Sequence, residues 1–247
     1  MRYFAIVSYR GTNYCGWQKQ SVATLPSIEE EVEQVLSRIL NTDTKIYGSG
    51  RTDAGVHALA QTFHFDSPKK IDESKLIHSL NELLPKDIRI LEVKHVDESF
   101  HARFSAVSKT YVYKIRNAKI SSAFHSDLEW TLAQPLDIKK MKEACEIFLG
   151  EHNFQNFTSK EEDDQKFIRN IGVFDIFKKD SHIEITISGN GFMRYMVRML
   201  VGSIVQVGLG KLSVEDLKKE LENPLRKPSS HKAPAYGLYL KEVRYEN

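Results

Sequence analysis

Apolar positions recur along the chain with two periods, and the changes of period mark its elements. Arg2–Tyr9 (RYFAIVSY) is rich in aromatic and β-branched residues and predicts a strand. Ser27 opens a helix: Ser27 and Glu30 have capping-box spacing, and Ile28, Val32, Val35, Leu36 and Ile39 form one apolar face at helical spacing. Thr44–Tyr47 and Leu59–Asp66 read as strands on either side of a glycine-rich loop. Asp72 can cap a second helix with Leu76, Ile77, Leu80, Leu83 and Leu84 on its apolar side, and Pro85 ends it. Ile88–Val96 is a further strand. The order is β-α-β-β-α-β, the split pattern of ferredoxin-like folds.

The second half repeats that order with longer insertions. Thr110–Arg116 (TYVYKIR) alternates as a strand. Asp137 starts a helix through Met141, Cys145, Phe148 and Leu149. Phe167–Phe177 and His182–Ser188 read as strands around the turn Lys179-Asp180. Phe192–Val207 predicts a long, nearly all-apolar helix, which implies a buried position. Ser213 caps another helix, Val214–Leu221, and Leu238–Tyr245 closes as a strand. These elements predict an α+β protein of two ferredoxin-like halves, residues 1–105 and 106–247. In that arrangement two antiparallel sheets lie side by side, with helices on one face and a broad cleft on the other. The duplication is in element order only. Glu151–Lys166, which contains the acidic run Glu161–Asp164, reads as a solvated loop or a lid.

Composition narrows the class without naming it. The 247 residues are 41% hydrophobic and 28% charged, ordinary for a globular chain. A net charge of +2 means that any nucleic-acid reading must rest on local patches. Two cysteines far apart, Cys15 and Cys145, and the lack of clustered Cys/His spacing argue against a disulfide framework or a zinc site. A reducing cytoplasm fits. No apolar run approaches a signal peptide or a membrane span.

Candidate chemistry centres on Gly48-Ser49-Gly50-Arg51-Thr52-Asp53-Ala54-Gly55-Val56-His57-Ala58. Its glycines suit a backbone that visits positive φ or is closely approached. An Asp in a stiff loop near an Arg is a candidate functional carboxylate; a solvated salt bridge in a tight turn is the alternative. The GxxxxG spacing resembles a P-loop, but the Lys-Ser/Thr that reach phosphate and metal are missing. No GxGxxG follows a strand, so a dinucleotide is not expected. Aromatic and basic residues interleave in Ser99–Ser105 and Lys109–Arg116, as RNA handling requires, although Tyr111 reads equally as core. Arg194 and Arg198 are four apart and fall on one side of the apolar helix, where an Arg needs an anionic partner. Arg226-Lys227 is a further basic cluster. Gly11–Gln20 (GTNYCGWQKQ) reads as a turn-rich segment with exposed aromatics.

The glycine loop, GRTDAGVHA, resembles the signature of the tRNA pseudouridine synthase A (TruA) family. The resemblance covers nearly the whole chain. Tyr9–Gln20 is similar to the family's YDGTxYxGWQxQ, and Phe100–Ala106 and Lys109–Tyr113 to its central motifs. Gly191–Arg198 with Val201-Gly202 is similar to its C-terminal helix, and Gly237–Leu240 to its last strand. The resemblance implies isomerisation of uridine to pseudouridine at nucleotides 38, 39 and 40 of the tRNA anticodon stem-loop, by a homodimer with no metal or organic cofactor. It makes Asp53 the nucleophile and Tyr111 the residue stacked on the target base. By the same resemblance Arg198 would pair with Asp53, Arg51 would sit beside it, and Phe100, His101, Ala102, Arg103, Phe104 and Arg169 would touch RNA. The chain departs from the pattern at Arg10, where Asp is usual, at Ala102 in place of Pro, and at Leu25–Ile28. Two other classes remain: a non-catalytic RNA-binding protein and a carboxylate-dependent glycosidic hydrolase. The first lacks the RNP1 pattern, and the second lacks an acid partner in the loop.

Overall fold

The computed structural model describes residues 1–20, 24–159, 167–223 and 229–246. The acidic run Glu161–Asp164 and the pair Arg226-Lys227 lie outside the described residues. The fold is α+β, in two compact units: Met1–Val107 with Tyr239–Asn247, and Ser108–Leu238. This division differs from the expected halves at two places: the chain divides after Val107 and not after residue 105, and its last residues change sides. The closing strand, counted in sequence with 106–247, lies in the first unit.

In the first unit the order runs β1 (Arg2–Tyr9), α1 (Ile28–Leu40), β2 (Ile46–Gly48), β3 (His57–Asp66), α2 (Glu73–Leu83), β4 (Ile88–Val96), with β10 (Leu238–Tyr245) returning at the end. β1 is central, antiparallel to both β3 and β4. β3 takes β2 antiparallel against Phe63–Phe65 and β10 parallel against His57 and Ala58. Alternation sets the faces: Tyr3, Ala5, Val7 and Tyr9 are buried on one side of β1, while Phe4 on the other packs edge-on against Phe100 and Tyr245. α1 starts where the sequence predicts. Ser27 Oγ accepts the Glu30 N–H at 3.1 Å, and the Glu30 carboxylate accepts the Ser27 N–H at 3.2 Å. A cap of this kind contributes about 1 kcal/mol. α1 ends on Asn41 in the left-handed conformation, φ 51°. Asp72 caps α2, whose buried side is Leu76 and Leu80; Leu83, expected on that side, is exposed.

The second unit contains β5 (Ala106–Arg116), β6 (Trp130–Thr131), α3 (Ile138–Ile147), β7 (Gly150–Asn153), β8 (Ile168–Lys179), β9 (His182–Gly189), α4 (Met196–Gly208) and α5 (Val214–Glu222). The sheet runs β5-β9-β8-β7, antiparallel throughout, with β6 parallel to β5. β7 (GEHN) carries no apolar alternation, so pairing to β8 and not its own side chains defines it. α4 is buried along nearly its whole length, as its composition predicts. It begins later than expected, however. Tyr195 takes φ 63°, and Phe192, Met193 and Arg194 precede the helix. Arg194 and Arg198 therefore do not share a helix face. The apolar run Phe192-Met193 extended the helical pattern in sequence, but these two side chains are buried or half-buried outside it.

Phe148 is fully buried among Phe154, Phe157 and Phe174, with ring centroids 5.2–6.3 Å away. Truncating such a residue removes transfer energy and leaves a cavity. Phe148→Ala is expected to destabilise the second unit by about 3–5 kcal/mol, read as an earlier urea transition by near-UV circular dichroism.

Candidate active site

The glycine loop joins β2 to β3, and its shape is imposed by the segment that follows β1. Gly11 lies so close to the loop that a Cβ there would meet the Val56 carbonyl oxygen at 2.0 Å. Its N–H donates to His57 Nδ1 at 3.0 Å. Gly16, at φ 110°, forms a single antiparallel bridge with Asp53, and its Cβ would meet the Thr52 oxygen at 2.5 Å. Next to it the Trp17 N–H donates to the Thr52 carbonyl at 3.1 Å. Only glycine permits two backbones this close.

Side chains complete the clamp. Trp17, 2% exposed, lies against Tyr9 and Phe63, and a Cβ on Gly48 would strike its indole at 2.6 Å. Tyr9 and Thr52 share a buried hydroxyl hydrogen bond of 2.8 Å. The Ser49 hydroxyl donates to the Gln61 Oε1, and Gln61 Nε2 donates to the Gly50 carbonyl. The Val56 N–H closes a turn onto the Asp53 carbonyl at 3.1 Å, with Gly55 at φ 77°. His57 stacks on Tyr239 of β10 at 4.7 Å, which fixes the exit of the loop. The clamp leaves Asp53 half-exposed and Arg51 exposed. Burial raises the Glu29 carboxyl above its usual range; the Arg51 charge opposes that shift more weakly.

The expectation of exposed aromatics in Gly11–Gln20 is corrected here. Tyr14 and Trp17 are buried, and Tyr14 donates its hydroxyl to Asp87 at 2.7 Å. The segment is the wall of the loop. A turn-rich composition concealed this, because the glycines serve close packing and not chain reversal.

In the second unit Tyr111 sits mid-strand in β5 opposite Ile187 of β9, buried, with its ring edge-on to Phe192 at 5.3 Å. Arg198 occupies the first turn of α4. Its Nε donates to the Ala233 carbonyl at 2.8 Å, and the Ala233 N–H returns a bond to the Arg198 carbonyl at 2.9 Å. Gly202, one turn on, lets the segment His231–Ala233 lie against the helix, since a Cβ there would meet the His231 oxygen at 2.0 Å. Arg169, on β8, donates to the Ile168 carbonyl and flanks Gly191.

Phe100–Phe104 follows β4 in the first unit. Phe104 is 77% exposed, its ring tilted against His101 at 4.4 Å with Arg103 over it at 5.7 Å. Phe100 is half-buried against Phe4 and Tyr245. Ala102 is the exception. It is wholly buried, its N–H donating to His64 Nδ1 at 3.2 Å and its carbonyl accepting from the Tyr245 hydroxyl at 2.8 Å. Its side chain offers no contact surface, so the expected RNA contact at Ala102 is withdrawn in favour of a structural role. Sequence reading missed His64, which ties this stretch to β3; its place in an alternating strand gave no signal.

The first unit thus holds one carboxylate on a clamped glycine loop, and the second carries Tyr111 on β5 and Arg198 at the start of a buried helix. Residues 5–105 and 144–246 match the family described as tRNA pseudouridine synthase. A protein of Francisella tularensis subsp. novicida (strain U112) named tRNA pseudouridine synthase A is 41% identical over 98% of this chain and 93% of its own length. A protein of Clostridium tetani named tRNA pseudouridine synthase A 2 is 39% identical over 97% and 96%. Among solved structures, a chain titled as part of a Cbf5-Nop10-Gar1 complex matches at 13% identity and a TM-score of 0.35, over 82% of this chain and 54% of its own. The chain belongs to the tRNA pseudouridine synthase family, whose members are isomerases.

Burial pushes the His64 imidazolium down to about 4. The folded state therefore holds His64 neutral, while the unfolded chain protonates near 6.5. Stability from this group is full above the unfolded value and is lost as pH falls from about 6.5 to about 4. The drop is expected to reach about 3 kcal/mol and to shrink in His64→Gln, measured by urea denaturation across that range.

Proposed function

We propose that this chain isomerises uridine to pseudouridine at nucleotides 38, 39 and 40 of the tRNA anticodon stem-loop, with Asp53 as the nucleophilic carboxylate. The observation that carries the reading is the double clamp on the Asp53 loop. Gly11, Gly16 and Trp17 hold it from one side and β10 from the other, so that one carboxylate is kept in one place. A reaction that depends on a positioned group gains most from such rigidity.

The chemistry breaks N1–C1′, turns the base and joins C5 to C1′. The proton leaves C5 and N1 regains one, so no atoms are gained and no cofactor is required. The carboxylate can attack C1′, attack C6, or promote a glycal; each route needs it ionised. In this reading Arg198 supplies the positive charge that favours the ionised form, and Arg51 adds to it. The base must leave the stack to be reached. Tyr111 then replaces the lost stacking, roughly 1–3 kcal/mol per base. Phe100, His101, Arg103, Phe104 and Arg169 complete the RNA contacts. We infer a homodimer acting in the cytoplasm, with light scattering as the check on assembly. Among the described residues no helix is long and apolar enough to cross a membrane.

The test uses tRNA tritiated at uridine C5. Isomerisation releases tritium, hydrolysis frees uracil, and a binding protein retains the RNA on a filter with neither. Wild-type protein is expected to release tritium. Asp53→Ala is expected to stop release while RNA binding persists, and robust turnover by that variant would sink the assignment. Tyr111→Phe is expected to keep stacking and slow turnover; an unchanged rate would exclude a role for the hydroxyl.

A further inference from the structure

Three cations gather on one ring in the second unit. The Tyr195 ring has Lys232 Nζ at 4.3 Å, Arg194 Cζ at 4.8 Å and Arg198 Cζ at 5.4 Å from its centroid. Arg194 Nη2 also donates to the Tyr195 hydroxyl at 3.0 Å. The arrangement is built from backbone outward. The Arg194 carbonyl accepts from Thr158 Oγ1 at 3.0 Å, which fixes the chain just ahead of α4. Lys232 is carried by the irregular segment that Arg198 and Gly202 hold against the helix. Between them Tyr195 takes φ 63°, a conformation that costs a bulky L-residue free energy and is kept where the surroundings demand it.

Like charges this close repel one another, and one ring's quadrupole offsets only part of that. No acidic residue lies in the first turn of α4, and the helix end adds positive potential of its own. Among the described residues, neither Arg194 nor Lys232 is paired with a carboxylate. Both are exposed, so both can reach a partner from solvent. A guanidinium fork beside an ammonium suits a phosphate: the fork fits two oxygens and the ammonium adds a point charge. Neither group has an acceptor, so the cluster takes only acceptor atoms, of which the phosphate oxygens carry the charge that three cations favour.

We propose that Arg194 and Lys232, gathered on Tyr195 beside Arg198, form a clamp for a backbone phosphate of the RNA substrate. The inference rests on the reading of the chain as a tRNA-modifying enzyme and adds a contact that the resemblance does not assign. Its function is to hold and orient the strand, not to act on the base.

The test measures filter binding of a tRNA transcript across a salt series, together with tritium release at saturating tRNA. In the double variant Arg194→Gln, Lys232→Gln, affinity is expected to fall roughly tenfold or more, and the slope of log K against log salt to decrease in magnitude by about 1, as for one phosphate no longer neutralised. The rate at saturation is expected to stay within about twofold, since contacts made equally before and during reaction change affinity and not turnover. The charge-preserving pair Arg194→Lys, Lys232→Arg is expected to restore most of the slope. An unchanged affinity and slope in the Gln pair would overturn the clamp, as would equal losses in the charge-preserving pair. If the wild type binds tRNA but releases no tritium, the catalytic reading fails, while the salt slope still decides the clamp.

Discussion

Everything at the candidate site depends on one contact: two backbones that only glycine allows to touch. Gly11 and Gly16 bring the segment after β1 against the loop that carries Asp53, at separations no Cβ tolerates. A carboxylate on a free loop would sample many positions. Here the chain on both sides of Asp53 is tied down. The bridge to Gly16 and the Trp17–Thr52 bond hold one side, and the Asp53–Val56 turn and the His57–Tyr239 stack hold the other. The glycines thus serve position rather than flexibility.

The same constraint explains why distant parts of the chain are needed. Trp17 is a wedge that fills the space vacated by Gly48, and the first turn of α1 receives the segment's carbonyls from Gly16 and Trp17. The last strand returns to the first unit and pairs with β3 at His57 and Ala58, where the loop ends. In the second unit the pattern recurs in another form. Gly202 lets the segment His231–Ala233 lie on α4, and this places Arg198 and Lys232 around Tyr195.

Much of this was legible in the sequence. Arg2–Tyr9, Ile88–Val96 and Leu238–Tyr245 form strands with the bounds read from alternation, and Ser27, Asp72, Asp137 and Ser213 cap their helices as their spacing implies. Local chemistry fixes such features. What was hidden depends on tertiary contact. Composition made Trp17 look exposed, because nothing local shows that Gly48 vacates room for it. Periodicity ran the apolar helix back to Phe192, because a residue at positive φ leaves no trace in a hydrophobic pattern. Ala102 appeared as a contact and proved to be buried, and the His64 bond that holds it comes from another strand. Asp53, Tyr111 and Arg198 stood out through family resemblance. The glycines around Asp53 were the physical signal that stood beside it.

Whether glycine contact positions Asp53 is decided by Gly11→Ala. The added methyl would press on the Val56 carbonyl and move the loop without touching Asp53. Misplacing a reacting group by about 1 Å costs on the order of a hundredfold in rate. The account predicts a loss of that size in tritium release at saturating tRNA, with tRNA affinity and far-UV circular dichroism close to wild type. Turnover near the wild-type rate in that folded variant would contradict it.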